Sequence, residues 1–233
     1  MKTIDVCLTP ELLHLYNLPH STVVVVDIFR ATTCMVTALA HGAEGLMALS
    51  DVDACLKMKS QDWIIAGERD GKKIQGFDKG NSPYEYMGDD IRGRKIAFTT
   101  TNGTQAIEKS KEASEIIIGS FLNFNRIAKH LLFNDRHTVI VCAGWKGRVN
   151  MEDTLFAGAL IERLKQYLGS DCDAPLLSQY LYNQAKGNMS DFLKDASHVQ
   201  RLRNLGVDKD IEFCLQFDLY DVLPVMKNGI FKA

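Results

Sequence analysis

The feature that most constrains this chain is a pattern that occurs twice. Residues 23–27 are an apolar run ending on a carboxylate, Val-Val-Val-Val-Asp, followed by Arg30-Ala31-Thr32-Thr33. Residues 95–99 are a second apolar run, followed by Thr100-Thr101-Asn102-Gly103-Thr104. Each run leads into a helical pattern, a second apolar run (45–49 or 115–119), a second helical pattern (51–59 or 123–132) and a third run (63–66 or 138–143). The third run breaks at Ala66-Gly67 or Ala143-Gly144. A Gly-basic pair follows, Gly71-Lys72 or Gly147-Arg148, and then an acid, Asp78 or Asp153. An almost pure valine run reads as a strand buried on both faces. Strands alternating with helices predict a parallel α/β sheet. The expectation is a three-layer α/β/α fold with two internally similar strand-helix halves, about 22–94 and 95–169. These sit in a single domain spanning 1–233, with a mostly helical C-terminal segment.

The remaining elements are read from local signals. Residues 3–8 form a short strand and 152–168 an amphipathic helix with Leu155, Ala159, Leu160 and Leu164 at helical spacing. Residues 178–183, 189–196 and 199–205 read as helices, 211–217 as a strand, and Pro224 as the start of the exit. Residues 68–86 form a polar, glycine-rich connection, and such connections in a compact domain are usually functional.

At 233 residues the chain can bury roughly 70% of its unfolded surface, so a core needs no staples. The net charge of -2 argues against coating nucleic acid, which needs a basic face. Six cysteines are scattered without a Cys-x-x-Cys pair, which favours reduced thiols. The first residues lack the apolar block of a signal peptide, and no apolar run approaches the ~20 residues that span a membrane. A cytoplasmic protein without nucleic-acid or membrane partners is expected; a homodimer stays an open option.

Several groups carry chemistry. Asp27 ends a buried strand, where open α/β sheets bind ligands. It suits a divalent cation or a general base, and equally the cap of the following helix. Arg30, Thr32 and Thr33 beside it offer a cation, hydroxyls and helix N–H groups to a phosphate. The loop of Thr100, Thr101, Asn102, Gly103 and Thr104 offers the same, with a glycine that admits close backbone approach; the bland alternative is an Asn-Gly turn. Glu68, Asp78, Asp27 and Asp153 could supply hard oxygens to Mg2+. Cys142 and Arg148 match the Cys-x5-Arg loop of cysteine phosphatases, a metal-free alternative. A non-catalytic binder of small phosphorylated acids is the third reading. Neither a Walker nor a dinucleotide fingerprint is present, and the six histidines show no metal-ligand spacing; His198 is left between lining the site and capping a helix.

Taken together, residues 26–33, Gly67-Glu68-Arg69-Asp70-Gly71, Gly76-Phe77-Asp78-Lys79-Gly80-Asn81-Ser82-Pro83, Thr100-Thr101-Asn102-Gly103-Thr104 and Cys142-Ala143-Gly144 with Glu152-Asp153 resemble the 2-phosphosulfolactate phosphatase family. The motifs run in the family's order over roughly residues 1–230. The resemblance implies a Mg2+-dependent hydrolase of a small anionic substrate, a 2-phosphorylated, sulfonated hydroxy acid, in the route to coenzyme M. In that frame Asp27, Arg30 and Asp153 are the expected catalytic residues, and Asp27, Glu68, Asp78 and Asp153 the metal ligands. Thr32, Thr33, Thr100, Thr101, Asn102, Gly103 and Thr104 would hold the phosphoryl group, and Lys72 or Arg148 the sulfonate or carboxylate.

Overall fold

A computed structural model describes residues 2–233. Its strands are β1 (Ile4–Cys7), β2 (Ser21–Val26), β3 (Gly45–Ala48), β4 (Ile64–Arg69), β5 (Lys72–Lys73), β6 (Lys95–Thr99), β7 (Glu115–Gly119), β8 (His137–Cys142), β9 (Val225–Lys227) and β10 (Ile230–Lys232). Its helices are α1 (Ala31–Ala40), α2 (Val52–Met58), α3 (Gly103–Lys109), α4 (Phe124–Phe133), α5 (Met151–Leu164), α6 (Ala174–Ala185), α7 (Met189–Phe192), α8 (Ser197–Arg203) and α9 (Asp208–Cys214).

The strands form one sheet in the order β1-β8-β2-β7-β9-β10-β3-β6-β4-β5. β2 lies between β8 and β7, and β6 lies between β4 and β3, all in parallel pairings. Exchanging β2, β3 and β4 for β6, β7 and β8 leaves the order of these six strands unchanged when read from the other end. Each half-sheet is therefore centred on a strand from the opposite half of the chain. The register corrects one detail of the sequence alignment. Gly67 stands opposite Thr99 and Cys142 opposite Val26, so with Thr99 aligned to Asp27, Gly67 matches Ala143 rather than Gly144.

The two half-sheets are spliced by the β9–β10 hairpin. β9 runs antiparallel to β7, β10 to β9, and β10 to β3, so the half-sheets run in opposite senses. Strand twist of roughly 20–25° per step accumulates over the five steps from β2 to β6 and offsets much of that reversal. The carboxyl ends of β2 and β6 consequently converge.

The layers follow from side-chain alternation. Val23 and Val25 share a core with Cys34, Met35 and Val36 of α1, with Ala106 and Ile107 of α3, and with Ile96 and Phe98 of β6. Val24 and Val26 face the opposite way, onto Phe124 and Ile127 of α4 and Leu155 and Phe156 of α5. Ile65 and Ala97 on the other half-sheet pack with Cys55 of α2. Thus α1 and α3 cover a face shared by both half-sheets, and α4 and α2 occupy the outer faces.

Two readings near the C-terminus are corrected. Residues 211–217 were expected as a strand; Asp208–Cys214 is helical. Ile211 and Cys214, three apart, both turn into the core, and Asp208 and Asp210 favour the first helical turn. The exit after Pro224 is a hairpin. Its turn, Asn228-Gly229, has φ of 51° and 79°, the left-handed pair that Asn-Gly accommodates in a tight hairpin.

Candidate active site

The convergent strand ends enclose a cleft lined by Asp27, Phe29, Arg30, Glu68, Asp70, Gly71, Asn81, Thr101, Asn102, Trp145, His198 and Leu202. A broader hollow around Arg126, Lys129, His130 and Arg136 lies at the amino end of β7 and holds none of these groups.

Asp27 forms the floor. It is buried, its backbone N–H donates to Thr32 Oγ1 at 3.0 Å, and its backbone carbonyl accepts from the Thr32 N–H at 3.1 Å. Burial pushes its carboxyl up to about 7; the nearby His198 opposes that rise, and Glu68 and Glu152 add to it. Thr33 Oγ1 donates to the Ile28 carbonyl at 3.0 Å. Thr32 and Thr33 therefore fix the turn that presents Asp27, and both are fully buried. Asp153 does the same from α5. Its two oxygens accept the N–H groups of Ile28 at 2.9 Å and Gly144 at 3.0 Å, tying the ends of β2 and β8 together. Burial, with Glu152 and Asp27 close by, pushes this carboxyl well above the usual range.

The facing wall comes from β4 and β6. Glu68 accepts from the Gly71 N–H at 2.6 Å and the Thr101 N–H at 2.7 Å. Thr100 and Thr104 close a loop on each other: Thr104 Oγ1 donates to the Thr100 carbonyl at 2.8 Å, and Thr100 Oγ1 accepts from the Thr104 N–H at 3.2 Å. Asn102 Oδ1 accepts from the Lys146 N–H at 3.0 Å. Thr101 Oγ1 and Asn81 Oδ1 are buried with no hydrogen-bond partner. Orphaned oxygens beside a cleft mark where a ligand would bind.

The third side brings together residues whose role the sequence left open. Glu152, one residue before Asp153, is 1% exposed, and its Oε1 lies 2.5 Å from His198 Nδ1. Trp145 stands at the rim with the Arg201 guanidinium stacked on its ring, 3.9 Å from the centroid. The sequence offered this wall the acid pair at the start of α5 and a histidine that could equally cap a helix.

The other expected site residues are placed differently. Asp78 is outside the cleft. It is bridged to Lys59 at 2.8 Å and accepts from the Ile65 N–H, contacts that hold its carboxyl low although burial opposes them. Lys72 on β5 and Arg148 are exposed and line no part of the cleft. Arg30 lines it, but its guanidinium is engaged by Asp210 and by the Gly71 carbonyl. Cys142 is fully buried, and burial pushes its thiol well above the usual range, the reverse of a nucleophile's need. Among the described residues no three His, Cys, Asp or Glu side chains converge as a ready metal cage.

The model of the 2-phosphosulpholactate phosphatase family matches residues 7–229. The chain belongs to that family. It is 39% identical over 222 residues to a probable 2-phosphosulfolactate phosphatase of Caldanaerobacter subterraneus subsp. tengcongensis, covering 93% of this chain and 92% of the relative. A protein of the same name from Thermotoga petrophila is 41% identical, covering 90% and 91%. One from Clostridium tetani is 33% identical, covering 98% and 99%. As a 2-phosphosulpholactate phosphatase family member, the chain is a phosphoric monoester hydrolase. No helix among the described residues is long and apolar enough to cross a membrane.

Proposed function

We propose that this enzyme hydrolyses 2-phosphosulfolactate, or a related 2-phospho-hydroxy acid, to sulfolactate and phosphate with Mg2+. The setting proposed is cytoplasmic, in chemistry of the coenzyme M type. The names of the relatives support the substrate class. The observation that carries the reading is the buried Asp27 carboxylate beside two orphaned oxygens, Asn81 Oδ1 and Thr101 Oγ1, in a cleft between two strand ends.

The donor chemistry fits a hard cation. Mg2+ asks for one or two protein carboxylates and fills its other positions with water and substrate oxygens, so a complete protein cage is not required. Asp27 and Glu68, the buried carboxylates that line the cleft, would hold it; Asp78 and Asp153 line no part of the cleft. Bound there, the ion would neutralise phosphoryl oxygens and acidify water. The protein's own groups do the positioning. Thr101 Oγ1 and the Asn102 amide face the cleft and suit phosphoryl oxygens, while the cations around Trp145 suit the substrate's other acid group. Catalysis is then mostly placement and electrostatics. The palindromic strand order supports the companion proposal of an internal duplication within one domain.

The test is phosphate release from a panel of 2-phospho-hydroxy acids, with Mg2+ and with EDTA. Release that requires Mg2+ is expected. Release undiminished by EDTA would remove the metal, and tight binding without release would leave a binder only.

A further inference from the structure

We infer that His198 is the catalytic proton donor to the leaving oxygen of the phosphoester, with Glu152 as the positioning residue that holds its ring. The inference rests on the phosphatase reading and adds to it a residue outside the sequence motifs.

Four observations converge on this pair. His198 Nδ1 lies 2.5 Å from Glu152 Oε1. A carboxylate only accepts, and at 2.5 Å it outweighs the Asn150 amide nitrogen 3.3 Å from the same atom, so Nδ1 carries a proton and Nε2 is the nitrogen left to act. The ring lines the cleft together with Asp27, with Phe29 edge-on at 6.1 Å between centroids. Glu152 is 1% exposed, and its Oε2 has no hydrogen-bond partner. Arg201, on the same helix as His198, also sits near Glu152, and its Nη2 is likewise buried without a partner. A buried acid with an empty lone pair is poor packing. A short helix that offers it both a histidine and an arginine is better explained as holding a ring in place. A contact serving only to dock α8 onto α5 would not need the imidazole in the cleft.

The chemistry of an alkyl phosphoester supplies the need. Its leaving group departs as an alkoxide, which is a strong base and a poor leaving group unless protonated. In the step, a water oxygen forms the new bond to phosphorus. The old P–O bond breaks and its electron pair goes to the leaving oxygen, which takes the proton from Nε2 of the cationic ring. The water keeps both protons on the phosphate, one on the incoming oxygen and one passed to a phosphoryl oxygen. The products are the alcohol, dihydrogen phosphate and a neutral His198, which regains its proton from solvent. Glu152 stabilises the ring while it is charged and keeps Nδ1 protonated after transfer.

Leaving groups of different basicity test this. Phospholactate needs a proton at its leaving oxygen; 4-nitrophenyl phosphate expels a phenolate that does not. His198→Asn should lower kcat on phospholactate by about a hundredfold or more, the usual worth of a general acid, and leave kcat on 4-nitrophenyl phosphate nearly unchanged. Glu152→Gln should show the same selective loss in weaker form, which a merely structural role would not produce. The parent enzyme provides an arm free of folding effects. Across alkyl and aryl esters its kcat should depend weakly on leaving-group basicity. Equal losses on both substrates, an unaffected phospholactate rate, or a steep dependence in the parent would each overturn the assignment. A parent that releases no phosphate from any ester would instead count against the reading of the site as a whole.

Discussion

Gly103 and Asp27 belong to opposite half-sheets, and a β-carbon on the glycine would come within 2.9 Å of both Asp27 Oδ2 and Ala31 Cβ. The absent side chain is what lets the two strand ends close on one cleft. Gly103→Val should therefore push Asp27 out of place and lower kcat/KM by about a hundredfold, the usual effect of misplacing a reacting group by an ångström. Asn102→Ala should raise KM and lower kcat more mildly, because it removes an amide from the cleft and frees the Lys146 backbone. Ordinary kinetics in folded variants would reduce residues 100–104 to a turn.

Asp27→Asn should abolish phosphate release and leave the fold intact. It should also change stability in a pH-dependent way. Asp27 ionises near 3.8 as a free residue and at about 7 when buried here. Ionisation is resisted in the fold between those values, so the parent loses stability as pH rises from about 4 to about 7 and none beyond. The amide carries no such penalty. Measured in EDTA, the variant should match the parent near pH 4 and melt higher at pH 8. The gain is bounded on the order of 4 kcal/mol, at ~1.4 kcal/mol per pH unit. A melting difference independent of pH would show that Asp27 is not buried as a lone charge.

Cys142→Ser should retain most activity. The thiol is fully buried in the core with the side chains of β2 and α5, so the cost is one of packing. A fall of several orders of magnitude in a folded variant would instead make Cys142 the nucleophile.

Asp78→Asn should leave both turnover and the Mg2+ requirement unchanged, since the residue is tied to Lys59 on the surface. A shifted Mg2+ dependence in phosphate-release assays would return Asp78 to the metal.

Asp210→Ala should destabilise the protein by about 3 kcal/mol, measured by denaturant melts. The substitution leaves the Arg30 guanidinium buried without its counter-charge, and breaking such a pair typically costs about 3–5 kcal/mol. A smaller effect than ~1 kcal/mol would mean that Arg30 finds a substitute partner.

The valine strand at residues 23–26 was legible because a strand buried on both faces has no room for polar residues. The loop of Thr100–Thr104 was legible as a strand-to-helix junction, because threonines and Asn-Gly interrupt the apolar run there. Asp78 was misread because a carboxylate in a polar loop looks the same whether it meets a metal or a lysine. His198 stayed undecided and Glu152 without a role because their relationship spans 46 residues and exists only once α8 docks on α5. The interleaving of the strands was equally hidden. Local pattern shows that a strand forms, and says nothing of which neighbour it takes. The C-terminal hairpin was the avoidable omission, since Asn228-Gly229 between short apolar runs is its ordinary signal.

Because each half-sheet is centred on a strand from the other half of the chain, synthesis and assembly are out of step. When residue 94 has left the ribosome, β2 has neither of its neighbours, and β3 and β4 lack the strand that lies between them. One half-sheet gains its last strand with residues 137–142, and the two are joined only by residues 225–232. Pairings this distant fold slowly and leave strand edges open to other chains in the meantime. The nascent protein thus spends most of its time on the ribosome as a set of unmatched edges. Its yield in a cell should depend on chaperone supply more than its finished stability would suggest.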